Sequence, residues 1–171
     1  MFHVPKSVQR VAVEIEGWLD LSCPEHALTK LEDLLAVPGA RPAALTLRVR
    51  AYMDLNRFVD AIIDIDELRA FDHDPEKADI MEAWCRKRMN DLAGAIVCME
   101  RLLERTKHSA IGHFNLGCYL ALQGDSARAL DEIAIACGID PQCRKMLDGE
   151  SDLESLRGIP GFDSLLEQAD S

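Results

Sequence analysis

Six cysteines, five histidines and 30 carboxylates are the groups with which this chain could do covalent, acid–base or metal chemistry. A finger-type zinc site needs two close ligand pairs, because four ligands must converge on one ion. Cys23, Cys85, Cys98, Cys118, Cys137 and Cys143 contain no CxxC pair, and the closest two stand six apart. His113 and Cys118 lie five apart, off the i, i+4 spacing that puts two side chains on one helical face. The spacing predicts no metal and no cofactor, with reduced cysteines used as small apolar residues in a cytosolic core. Neither a GxSxG elbow nor a phosphate-cradling GxxxxGK[ST] occurs. Ser109, Ser126 and Ser151 fall at expected helix starts, where a hydroxyl caps the helix. Gly158-Ile159-Pro160-Gly161 reads as a turn. With so many acids in 171 residues, carboxylate pairs are inevitable and name no acid and base. The reading is not an enzyme.

The elements that hold these residues follow from a period. Ala110 to Arg144 reads as an amphipathic helix, a break at Gly124, a second helix capped by Asp125 or Ser126, and a stop at Gly138 and Pro141. Counting back from Ala129 in steps of 34 gives Ala95, Ala61 and Ala27. The same step takes Ile133 to Met99, Ile65 and Leu31, and Ala136 to Leu102, Leu68 and Leu34. It takes Gly124 to Asn90, Asn56 and Ser22, a series rich in residues that tolerate a left-handed turn. Opposite the alanines, the first helix carries Ile15, Val49, Ala83 and Gly117, so the repeated alanine predicts a close helix approach.

Residues Leu116, Gly117, Leu120, Gly124, Ala129, Ile133, Ala136 and Pro141 resemble the signature of the tetratricopeptide repeat. The resemblance implies an all-α, right-handed superhelical solenoid of helix–turn–helix units. Repeats would cover about 8–41, 42–75, 76–109 and 110–143, with a capping segment at 144–171, in one repeat domain. Two departures stand out. Asp79 and Glu82 occupy sites where the family has large apolar residues, and Glu14 and Arg48 stand where the last repeat has Leu116. On the second helix of repeat two, Asp60, Asp64 and Glu67 read as a solvated acidic stripe.

In this family the first helix of each pair lines a concave groove. Carried onto these positions, the groove would present Thr46, Arg50 and Met53 from the second repeat. Lys77, Ile80, Trp84, Lys87 and Arg88 would come from the third, and Phe114 and Cys118 from the last. Glu16 and Asp20 hold the matching positions of the first. Trp84 and Phe114 would supply the apolar part of a basic, aromatic centre. The carboxylate clamp of some members is absent: no Asn stands at its positions, and Met81 replaces the Arg near Lys77.

The resemblance implies a non-catalytic scaffold or adaptor whose partner is a protein or peptide segment, acidic with an apolar anchor. A net charge of −11 argues against nucleic acid as a partner. Glu14 and Glu16 interrupt the N-terminal apolar run, and no apolar stretch approaches ~18 residues, so no signal peptide, membrane span or membrane partner is expected. The expected location is the cytoplasm. Three alternatives stand beside this reading. They are a small acidic chaperone of a secretion system, a hydrolase hidden in the repeats, and a protein that self-associates near Trp18 and the first helix.

Overall fold

A computed structural model describes residues 6–37, 39–71 and 74–167. Eight principal helices follow one another: α1 Lys6–Asp20, α2 Pro24–Leu35, α3 Arg41–Asp54, α4 Phe58–Ala70, α5 Pro75–Arg88, α6 Leu92–Arg105, α7 Ala110–Gln123 and α8 Ser126–Ile139. Two short helices, α9 Arg144–Leu147 and α10 Pro160–Glu167, and two 3-10 turns at Pro141–Cys143 and Ser151–Leu156 complete the elements of the described residues. No strand occurs among the described residues. The turn Pro38-Gly39 expected to close the first repeat lies partly outside them, at Pro38.

The period of 34 is structural. Ala27, Ala61, Ala95 and Ala129 are wholly buried, and so are Leu31, Ile65, Met99 and Ile133. Ser22, Asn56, Asn90 and Gly124 all have positive φ, at 56°, 57°, 64° and 92°. At these turns the chain reverses in the left-handed region, which costs a Ser or Asn more than a Gly. Asp74, Asp91, Ser109 and Asp125 accept hydrogen bonds from the amides of Lys77, Gly94, Gly112 and Arg128 respectively, satisfying donors that a helix start leaves open. Asp125, not Ser126, is therefore the cap of α8.

The contacts group the chain into two compact units, the first ending at Met89 and the second beginning at Asn90. In the first, α1 packs on α2 and α3, α2 on α3, and α4 on both α3 and α5. Its core runs from Ile15, Leu19, Leu31 and Leu34 to a second cluster around Leu45, Val49, Ile65 and Leu68. Burying each such side chain contributes about 1.5–3 kcal/mol. In the second unit α7 packs on α6 and α8, Ser151–Leu156 lies on α7, and α10 touches α8 and α9. Leu153, Leu156 and Phe162 of the expected cap are buried there.

Gly117 shows how close α7 and α8 come. A Cβ added to it would lie 2.7 Å from Cγ1 of Ile133 and 3.1 Å from the carbonyl oxygen of Ala129. The close approach thus needs the glycine of α7 as well as the alanine of α8.

Charges at odd positions are corrected by the structure. Asp64 is not solvated. It is buried and accepts two hydrogen bonds from Arg48, one from Nε at 2.6 Å and one from Nη2 at 2.7 Å. Asp60 pairs with Arg57 and Glu67 with Arg41, so the expected acidic stripe is a row of partnered carboxylates. Arg41 holds the Glu67 carboxyl below the usual carboxylate range, first through the hydrogen bond between them. Asp79 and Glu82 are buried, with Arg69 of α4 bonded to both and Arg86 donating to Glu82 at 2.6 Å. Sites where the family has large apolar residues are thus occupied by salt-bridged carboxylates.

Candidate functional site

The residues singled out for a groove fall into three environments. Thr46, Arg50 and Met53 of α3 and Lys77 of α5 line one cavity of about 440 Å³, with Glu16 and Asp20 from α1 and Leu47 and Met81 on its wall. Helical spacing accounts for this set. Residues 16 and 20, and 46, 50 and 53, recur at three and four, so each series lies along one helix face. The Thr46 hydroxyl donates to the carbonyl of Pro42 at 2.9 Å, within its own helix.

Arg50 donates from Nη2 to Oδ1 of Asp20 at 2.8 Å, tying α3 to α1. That pair also borders a second cavity of about 520 Å³, where Glu25 of α2 and Asp54 of α3 add negative charge. Lys77 and Glu16 are exposed and make no ion pair among the described residues. The α1 wall is thus acidic, the α5 wall basic, and the space between is floored by Leu47, Met53 and Met81.

Trp84 and Arg88 form a separate group. Trp84 is half-buried, with its ring edge-on to Phe58 at 5.7 Å between centroids. The Arg88 guanidinium lies 5.5 Å from the Trp84 ring and 5.8 Å from Phe58, and donates to Asn56 at 3.3 Å. Ile80 and Lys87 are half-buried. Trp84 therefore belongs to the packing around α4 and α5, and does not line the cavity.

Phe114 and Cys118 are corrected outright. They are 1% and 3% exposed, core residues of the second unit, and present no surface to a partner. Both lie on α7, which packs on α6, α8 and Ser151–Leu156; the period located these residues but not their burial.

Leu47 and Met81 were missed. Both sit one residue from a predicted groove position, and helix geometry turns neighbours by about 100°, so either side of a face can line a cavity. A wider window around each inner position would have found them.

Three of the buried cysteines are held in the thiol form. Burial pushes the Cys85 thiol up to about 11, and the nearby Glu82 carboxylate adds to the shift. Burial also raises Cys137 and Cys143. All six cysteines are free, and five are buried. Among the described residues no group of three or more His, Cys, Asp or Glu side chains gathers as a metal site. No helix among them is long and apolar enough to cross a membrane.

No protein-family model matches the chain, and no curated protein matches it in sequence. Solved structures do match. MamA residues 41 to the end from Desulfovibrio magneticus RS-1 aligns over 99% of this chain and 100% of that one, with a TM-score of 0.70 at 14% identity. YrrB, a TPR protein with an unusual peptide-binding site, aligns over 93% and 82%, with a TM-score of 0.63 at 14% identity. The nearly identical TPR-like repeats of a Podosopora anserina kinesin light chain align over 99% and 96%, with a TM-score of 0.72 at 12% identity. The all-α helix-pair solenoid of these proteins is the fold of this chain.

Proposed function

We propose that this chain, built on the tetratricopeptide-repeat fold, is a non-catalytic interaction module that holds a protein or peptide segment against the α1–α3–α5 face of its first unit. One observation carries the reading. Three successive first helices converge on a cavity of about 440 Å³ that sets Glu16 and Lys77, neither ion-paired among the described residues, beside apolar side chains. Ligand sites combine an apolar lining with a few placed polar groups in this way. An acidic residue of the partner would meet Lys77, and its apolar neighbours would meet Leu47, Met53 and Met81. The matched proteins include YrrB, a TPR protein with an unusual peptide-binding site, which supports the reading by likeness of fold only. Free cysteines kept as buried thiols support a reducing, cytoplasmic setting.

The test fills the cavity. Thr46→Trp should weaken binding of a randomised peptide library at least tenfold while the thermal midpoint stays within a few degrees. Unaltered binding in a folded Thr46→Trp protein would remove the site.

A second reading, self-association, has its own observation. On α1, Val13 and Leu21 are 66% and 70% exposed, whereas Leu47, one period after Val13, is 9% exposed. Gly17 is exposed, and its counterparts Ala51, Cys85 and Tyr119 are buried. A second copy could cover this strip of α1. Native mass measurement of the wild type and of Val13→Glu/Leu21→Glu tests it: a dimer in the first and a monomer in the second supports the reading, and a wild-type monomer overturns it.

A further inference from the structure

The polarity of the α1–α3–α5 face selects the charge pattern of what it holds. This inference rests on the function proposed above and adds the chemistry of the partner. Three facts are needed. The face is not uniformly basic, because Glu16 and Asp20 stand on the α1 side of the same cavity that Lys77 enters from α5. The central pair is already closed, with Asp20 accepting from Arg50 at 2.8 Å. The groups left over are Glu16 on one side and Lys77 on the other, both exposed and neither ion-paired among the described residues.

From these we infer that the face binds an extended, dipolar segment, with a basic side chain toward Glu16 and an acidic side chain toward Lys77. A wholly acidic segment meets Lys77 but places a like charge beside Glu16, Asp20 and, in the adjoining cavity, Asp54 and Glu25. A wholly basic one meets the acidic wall but is repelled by Lys77 and Arg50. Only the dipolar pattern answers both walls, and like-charge juxtaposition is the stronger discriminator at such surfaces. With α3 between α1 and α5 and packed helix axes about 8–10 Å apart, side chains reaching inward from α1 and α5 stand on the order of 10–15 Å apart. At about 3.3 Å per residue, the two charges of an extended segment fall roughly three to five residues apart. Between them the segment needs small or flexible apolar residues, to lie on Leu47, Met53 and Met81.

The probes are four pools of fluorescein-labelled nonapeptides with a randomised Ala, Leu, Met and Thr background. Two positions about four apart are fixed as Lys and Glu in either order, two Glu, two Lys, or two Gln. Binding to the full chain is read by anisotropy. The Lys–Glu pool should bind about three- to tenfold tighter than either like-charged pool, and the advantage should shrink in ~1 M salt, where the screening length falls to about 3 Å. Glu16→Lys makes the face basic and should move the preference to the two-Glu pool. Lys77→Glu should move it to the two-Lys pool, and the double exchange should restore the preference for Lys–Glu. Pools that bind alike, or a ranking unmoved by Glu16→Lys and Lys77→Glu, overturn the inference. Thr46→Trp separates the two levels. Loss of all binding in that variant, with pools that rank equally on the wild type, keeps the site and discards the dipole. Binding of every pool unaltered by Thr46→Trp discards the site and the inference together.

Discussion

The first unit contains its own experiment on buried charge. Arg48 and Asp64 stand at the same repeat positions as Glu14 and Lys30, one period later, with the signs exchanged. The first pair is nearly dry: the side chains are 18% and 4% exposed, with two hydrogen bonds at 2.6 and 2.7 Å. The second is wet, at 50% and 49% exposed for Lys30 and Glu14, with a single contact at 3.6 Å. Coulomb attraction at these distances is about 4 kcal/mol at an effective dielectric near 20 and about 1 kcal/mol in water. Coupling in the half-exposed pair should therefore be about 0.2–1 kcal/mol. Truncating Arg48 to Met leaves the buried Asp64 carboxylate without its fork of donors, and that step should cost about 2–4 kcal/mol. Loss of the guanidinium over the Tyr52 ring, at 5.8 Å, adds a smaller part. The double replacement Arg48→Met/Asp64→Leu removes both charges and should return to within about 1 kcal/mol of wild type. Urea melts of the four proteins in each cycle, read at constant m-value, give the two couplings. Equal couplings in the two pairs, or a loss below about 1 kcal/mol for Arg48→Met, would refute the assignment of Asp64 as a buried, partner-dependent carboxylate.

Three further outcomes are expected. Ser22 sits at φ 56°, so Ser22→Gly should stabilise by about 0.5–1 kcal/mol and Ser22→Val should destabilise, as read by thermal melts. Gly117→Ala should destabilise by about 1–3 kcal/mol despite alanine's better helix propensity, because the added methyl meets Ile133 at 2.7 Å; the same substitution should cost less in an Ile133→Ala background. Thiol reagents should label half-exposed Cys23 first and the five buried cysteines only on unfolding. Cys85 binds its proton more tightly folded than unfolded. Its contribution is thus fully present below the unfolded thiol value near 9 and is lost as pH rises toward about 11. Stability should fall less steeply across that window in Cys85→Ala than in wild type.

The fold was legible because its determinants are periodic. A residue that must be small, or must reverse the chain, is set by its place in the repeat, so Ala27, Ala61, Ala95 and Ala129 and the turns at Ser22, Asn56, Asn90 and Gly124 could be read from spacing alone. Burial and positive φ agree with that reading at each of these positions. The side chains that break the pattern could not be read this way. Asp79 and Glu82 looked like flaws in α5 because the residue that answers them, Arg69, comes from the preceding helix and from no fixed repeat position. A counterion can reach from any neighbouring helix, so its identity is a property of three-dimensional contact and not of period.

The same distinction explains which of the expected groove residues share one cavity. Arg50, Thr46, Met53 and Lys77 were placed on one face by the geometry of their helices, and that geometry holds inside the first unit. Trp84 was placed by the same rule, yet Phe58 and Arg88 draw it into packing. An aromatic side chain is long enough to choose between a groove and a neighbouring helix, and burial against the neighbour wins where an apolar edge is in reach. Phe114, on α7, is buried as well. Short or charged side chains have no such choice. Thr46 is anchored by its own backbone, while Glu16 and Lys77 must stay hydrated at the wall where the helix puts them. Polar inner positions are therefore the more dependable markers of the face that lines an open cavity, and the aromatic ones the less.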